Sequence, residues 1–243
     1  MAGGRERVLR RRITSVQKTK KITRAMELIA ATRVMKAQQR ARSSAPYSRQ
    51  ITQVIENLAA AGTEVDHPLL REAEKVERVG VVLITSDRGL AGPYNSSIIR
   101  AAERQVQNAR AEGADYALIV IGKKGRDYFR FRNYRIDSFT EGISDNPTYE
   151  DAKAVADTVA QLFESGEIDR VELVYTEFIS IGSQKVATRR FLPLESTETI
   201  AAEGGGDASI RGSFEFEPSP EAVLAALLPR YVEARLFGAL LES

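Results

Sequence analysis

The sequence predicts an α/β domain with a mostly parallel sheet, joined to long N- and C-terminal helices that pair as an antiparallel coiled coil. Three observations carry this reading. Residues 5–58 hold helix formers with apolar side chains three or four apart. Continuous β-branched runs alternate with helical segments through the middle of the chain. Residues 219–243 return to helical spacing.

The first helix shows its period in Leu9, Ile13 and Val16, then Ile22, Met26 and Ile29, and later Ile51, Val54, Ile55 and Leu58. Pro46 is expected to bend or locally break it, because proline lacks a backbone donor and crowds the preceding turn. Between Val16 and Val34 the apolar stripe is narrow and interrupted by Thr19, Thr23 and Ala30, which suits a close two-helix seam. A turn-rich connector, AAGTEVDHPLL, precedes VGVVLITS (79–86), a buried strand. The loop SDRGLAGPYN leads into a helix over about 95–112, and DYALIVIG (115–122) is a second strand. YRIDSF reads as a third. PTYEDAKAVADTVAQLFESG is a helix that buries Ala152, Val155, Ala156, Val159 and Phe163 and stops at Gly166.

RVELVYTEFI and KVATRRFLPL read as two strands joined around SIGSQ, and this last pair supplies an antiparallel edge. The result is a Rossmann-like domain. AAEGGGDASIRGS (201–213) has the composition of a flexible linker. In the last helix Ser219 is the cap and Pro220 fits the first turn. Leu224, Leu227, Leu228, Tyr231, Leu236 and Leu240 share one side, and Pro229 bends the helix without ending it. The expected division is therefore 1–60, 61–213 and 214–243.

Length sharpens this picture. A helix of ~50 residues spans roughly 75 Å and one of ~25 residues roughly 37 Å, so the C-terminal helix covers only the C-terminal half of the first. The outer half, from Arg5 to about Met26, lacks a partner within the chain. Leaving its large apolar side chains in water forgoes roughly 1.5–3 kcal/mol each, which calls for another protein or for more of this chain.

Net charge is +2, but residues 1–45 hold thirteen Lys and Arg against Glu6 and Glu27. That segment carries about +11 and leaves the remainder near −9. Nucleic acid, anionic lipid and an acidic protein are the partner classes such a helix admits. Nucleic acid is disfavoured because no aromatic side chain precedes Tyr47, and a membrane surface because Leu9 to Ile29 lacks bulky aromatic anchors. Zero cysteines exclude disulfides, thiolate nucleophiles and thiol switching. With no secretory signal and no apolar run of ~18 residues, the chain is expected in the cytoplasm, able to lie beside a membrane.

SDRGLAG stands where mononucleotide folds place a phosphate loop, yet it has only Gly89 and Gly92 and no G-x-G-x-x-G or G-K-[ST]. The preferred reading is structural: Ser86 and Asp87 bond turn amides, Gly89 permits a positive φ, and Gly92 and Pro93 shape the helix entry. IGKKG reads as an exposed basic strand-to-helix turn rather than an anion site. His67, the only histidine, is a turn residue without companions for a metal site or a nucleophile relay. No catalytic, cofactor-binding or metal-binding residue is assigned. A nucleotide-dependent enzyme built on SDRGLAG remains a weaker alternative.

Taken together, RRRITSVQKTKKITRAMELIAATRVMKAQ, ITSDRGLAGPYN, IGKKG and FEFEPSPEAVLAALLPRYVEARLFGALLES resemble the gamma subunits of F-type ATP synthases, in that family's order and spacing. The resemblance covers essentially the whole chain. It implies a central-stalk rotor whose terminal helices form a shaft inside the catalytic head, with the α/β domain as a foot. The implied partners are the alpha and beta subunits, the epsilon subunit and the membrane proton ring. By position, Lys21, Arg24 and Met26 resemble the shaft segment facing the acidic lever of the catalytic subunits. Phe214 and Glu217 resemble the foot region at the ring, and Asp87, Arg88 and Gly89 match the family's SDRG turn. ATP chemistry would belong to the partner subunits, and the location would be peripheral, on the cytoplasmic face of the cell membrane. Ala91 replaces a cysteine common in that loop, and the regulatory cysteine insertion of photosynthetic eukaryotes is absent, which points to a bacterial type. The family continues beyond LLES through a long helix, so the chain is expected to be a fragment or a natural truncation. The alternative kept beside this reading is a basic coiled-coil nucleic-acid binder carrying an α/β module.

Overall fold

The computed structural model describes residues 2–60, 66–194 and 219–243. The chain divides into two units, Met1–Ser43 and Ser44–Ser243. Helix α1 is assigned over Ala2–Ala60, with Pro46 inside it. The first unit holds the greater part of α1, and its large apolar side chains are exposed. The expected divisions at 60/61 and 213/214 differ from this partition, because Ile51, Ile55 and Leu58 are buried in the core of the second unit.

Within the second unit the order after α1 is a 3-10 turn at Pro68–Leu70, β1 (Arg78–Ile84), α2 (Tyr94–Ala111), β2 (Asp115–Ile121), α3 (Lys123–Phe131) and β3 (Ser138–Thr140). It continues with α4 (Tyr149–Glu164), β4 (Arg170–Ser180), β5 (Ser183–Leu192) and α5 (Pro220–Glu242). The sheet order is β3-β2-β1-β4-β5. β1 pairs in parallel with β2 and β4, β2 pairs in parallel with β3, and β5 closes the edge antiparallel to β4. This is the mostly parallel sheet with one antiparallel edge that the alternating pattern predicts.

Both faces of the sheet are covered, which is why its central strands are apolar without interruption. Val79, Val81 and Leu83 of β1 point toward α2 and α3, in a cluster with Ile98, Val106 and Phe129. Val82 and Ile84 point the other way and join α4, α5 and the last turns of α1. All five residues predicted to be buried on α4 are buried. Its start is fixed reciprocally: Thr148 Oγ1 accepts from Asp151 N at 3.2 Å, and Asp151 Oδ2 accepts from Thr148 N at 2.9 Å.

The third strand is shorter than its sequence suggests. Only Ser138–Thr140 pair with β2 as strand, and Tyr134–Asp137 do not. Asp137 is the reason: its amide donates to Leu118 O at 2.9 Å while its own Oδ2 accepts from Leu118 N at 2.8 Å. A carboxylate thus closes the rung that a backbone carbonyl would have closed.

Ser219 caps α5 as predicted, its Oγ accepting from Ala222 N at 3.2 Å, and the helix continues through Pro229. The sequence reading gives α5 one partner, α1, in a coiled-coil seam. In the structure α5 packs on α4 and β4, and it shares one core with Ile51, Ile55 and Leu58 of α1. Its burial is wider than a seam, reaching Leu224, Leu228, Val232, Ala234, Leu236 and Ala239. The linker at 201–213 lies outside the described residues.

Candidate functional site

The carboxyl ends of β1, β2 and β3 are where an open α/β sheet holds phosphates, so the loops there decide whether this domain presents an anion site. Helix α3 starts directly after Gly122, and its first amides are already bonded. Lys123 N donates to Asp87 Oδ1 at 3.0 Å, Lys124 N to Ser86 O at 3.1 Å, and Gly125 N to Thr85 Oγ1 at 2.9 Å. The Asp87 carboxylate therefore sits at the helix N-terminus where a phosphate would bind. Its other oxygen accepts from Gly142 N at 2.8 Å and from Ser144 Oγ at 2.9 Å. Burial works to raise the Asp87 carboxyl, but the bonds from Ser144, Gly142 and Lys123 outweigh it and hold the group below the usual carboxylate range.

The rest of SDRGLAG is equally self-satisfied. Ser86 N donates to Asn95 Oδ1 at 2.9 Å, and Arg88 pairs with Asp145 at 2.9 Å. A Cβ added at Gly89 would lie 3.8 Å from Lys124 Cε, and Gly89 does not adopt the positive φ that a glycine there permits. That conformation falls instead on Leu90 (φ 65°) and Gly92 (φ 56°). Asp87 bonds turn amides as expected, and those amides belong to two other loops, at Lys123 and Gly142.

Strand order reverses between β1 and β4, and the crevice outside their ends is the usual place for a nucleotide. Here the end of α5 reaches into that crevice. Ser243 Oγ lies 2.7 Å from Tyr94 Oη, and Thr176 N donates to the same oxygen at 3.4 Å. Burial pushes the Tyr94 hydroxyl up to about 12, with the Ser243 bond opposing. His67 is a turn residue: its Nδ1 accepts from Leu69 N at 3.2 Å and starts the 3-10 turn.

One buried polar cluster has no counterpart in the sequence reading. Glu233 on α5, only 5 % exposed, accepts from Lys153 Nζ at 2.8 Å and from the Tyr149 hydroxyl. Burial, then the bond to Glu233, raises the Tyr149 pKa. The Tyr149 ring meets Phe237 and Tyr47 edge-on, at 5.8 and 6.3 Å. The signal available in sequence was a lone glutamate among apolar neighbours in YVEARL.

The first unit offers a different kind of surface. Leu9, Ile13, Val16, Ile22, Met26 and Ile29 are between 47 and 67 % exposed. Lys21, Arg24 and Met26 lie on this exposed helix, and Arg24 holds both oxygens of Glu27 at 2.7 Å. The hydroxyls of Thr14, Thr19, Thr23 and Thr32 bond back to carbonyls three or four residues earlier. Their hydroxyls are thereby satisfied within the helix. Phe214 and Glu217 lie outside the described residues.

Known proteins resemble this chain over nearly its whole length. The family described as ATP synthase matches residues 5–243. The chain is 48 % identical over 244 residues to the ATP synthase gamma chain of Frankia casuarinae, covering 99 % of this chain and 80 % of that one. It is 46 % identical over 245 residues to that of Acidothermus cellulolyticus, with the same coverage. In fold it resembles a chain of the central stalk and c-ring structure of Tetrahymena thermophila mitochondrial ATP synthase. That likeness has a TM-score of 0.66 and 24 % identity, over 91 % of this chain and 92 % of that one. The nucleic-acid alternative draws no support from these relatives.

Proposed function

The chain belongs to the gamma-chain family of ATP synthases, and from that premise we propose that it is the rotor subunit of the central stalk. In this reading it couples rotation of the membrane proton ring to ATP synthesis or hydrolysis in the catalytic head. The observation that carries the proposal is the basic helix of the first unit, whose large apolar side chains are exposed, most of them by half or more. Covering what remains exposed of six such side chains would contribute roughly 0.7–2 kcal/mol each, a driving force for assembly that the isolated chain leaves unused.

The chemistry of the surface fits a shaft. Exposed charge is screened over about 10 Å at moderate salt, and helix-bonded threonines present no deep pocket. Modest attractions recur at successive angles, whereas tight apolar sockets would hold one orientation. An eccentric shaft biases chemically identical subunits toward different conformations in turn, which is how a rod without chemistry of its own sets the state of distant sites. Catalysis of ATP formation belongs to the partner subunits in this account. The self-satisfied loops around Asp87, Arg88 and Gly89 keep the body rigid.

Lys21, Arg24 and Met26 are assigned to contact with the alpha and beta subunits of the head, and Phe214 and Glu217 to contact with the ring, with the epsilon subunit beside the foot. The chain would sit peripherally on the cytoplasmic face of the membrane. The test is charge reversal of Lys21 and Arg24 in the assembled complex, with ATP-driven proton pumping and ATP hydrolysis measured in the same vesicles. The expected result is a lower ratio of pumping to hydrolysis with the subunit still incorporated. An unchanged ratio would place the lever contact elsewhere.

A further inference from the structure

Phe131, at the end of α3, is 85 % exposed. Beside it Arg110, Arg132, Asn133 and Tyr134 complete the lining of an open hollow of about 400 Å³. Asn133 adopts φ 59°, turning the chain around the hollow's edge. The Arg110 guanidinium lies 4.8 Å above the Tyr116 ring and 5.7 Å from that of Tyr134, so it is held in place without being neutralised. The nearby Glu103 carboxylate accepts from Tyr128 Oη at 3.1 Å and Tyr134 Oη at 2.9 Å and makes a long ion pair with Arg132 at 3.8 Å. The lining residues themselves include two arginines and no acid, with Glu103 behind them pairing Arg132 and leaving Arg110 stacked on aromatic rings.

We infer that this hollow on the α2–α3 side of the α/β body docks an acidic protein surface that seats Phe131 in an apolar notch and sets carboxylates against Arg110 and Arg132. An aromatic anchor with flanking arginines is the composition that dominates protein interfaces. A small aromatic anion would need opposing walls, and the hollow is open with a single exposed ring. An interfacial membrane contact draws on several apolar anchors, and here there is one. The inference rests on the reading of this chain as a subunit of a larger assembly.

The test replaces Phe131 with photoreactive p-benzoylphenylalanine in the assembled complex and identifies the adduct by mass spectrometry after irradiation. The expected adduct is a peptide rich in Asp and Glu from a partner protein. Its yield should fall about tenfold when Arg110→Glu and Arg132→Glu are added, the size of effect that losing roughly 1.4 kcal/mol of docking energy produces. Both arginines are exposed, and circular dichroism checks that the variant stays folded. Complexes that contain the chain but give no protein adduct, an adduct on lipid or nucleotide, or a yield indifferent to the charge reversals overturn the docking surface. Failure of the chain to enter a complex with alpha and beta subunits overturns the assembly reading and, with it, this one.

Discussion

Two glycines of positive φ separate the cost of backbone strain from the cost of close contact. Gly122 (φ 94°) and Gly142 (φ 86°) adopt similar conformations. A Cβ at Gly142 would meet nothing within 4 Å, whereas one at Gly122 would lie 2.0 Å from Thr85 O and 2.8 Å from Thr85 Oγ1. Gly142→Ala should therefore cost only the left-handed penalty, about 1–2 kcal/mol. Gly122→Ala adds a displacement of Thr85, whose hydroxyl donates to Ile121 O at 2.8 Å and accepts from Gly125 N at 2.9 Å, while its amide donates to Ile121 O at 2.8 Å. Loosening these three buried bonds at about 1 kcal/mol each brings the total to about 4–5 kcal/mol. Urea unfolding of the full chain, followed by near-UV circular dichroism of the tyrosines packed on the sheet, measures both. Equal losses for the two substitutions would refute the claim that the β1 end and the start of α3 are locked by contact.

Asp87 supplies a pH test. Its folded pKa lies below the unfolded value of about 3.9, so its stabilisation is complete above that value and is lost as pH falls through the folded pKa. Asp87→Asn should be less stable than the parent at pH 7, and the gap in urea midpoint should close only below about pH 4. The two units predict opposite behaviour for apolar truncations. Leu58→Ala, at a fully buried site, should cost about 2–5 kcal/mol in the isolated chain. Ile13→Ala, 56 % exposed, should change the isolated chain by less than about 0.5 kcal/mol while reducing recovery of the assembled complex.

What the sequence made legible follows from how local each signal is. The uninterrupted Val79–Ile84 run announces a strand covered on both faces, and the spacing of Ala152, Val155, Ala156, Val159 and Phe163 announces one buried helix face. The shortened β3 was hidden because Asp137 replaces a backbone rung with its side chain, which no period reveals. Glu233 reads as a solvent-facing residue until Lys153 and Tyr149, about 80 positions earlier, are folded against it. Asp87 was recognised as a turn residue, but its partners stand 36 and 55 positions away, beyond the reach of turn chemistry. The positive φ that Gly89 would permit falls on Leu90 and Gly92 instead, because turn composition marks a loop more reliably than it marks the residue within it.

The account's central claim is that the basic helix of residues 2–43 is a surface for other subunits. Amide hydrogen exchange compares it most directly in the isolated chain and in the purified complex with alpha and beta subunits. Peptides spanning residues 8–35 should exchange quickly when the chain is alone and become strongly protected on assembly, while the buried strands β1 and β2 exchange slowly in both states. Rapid exchange of 8–35 that persists in the assembled complex would contradict the claim.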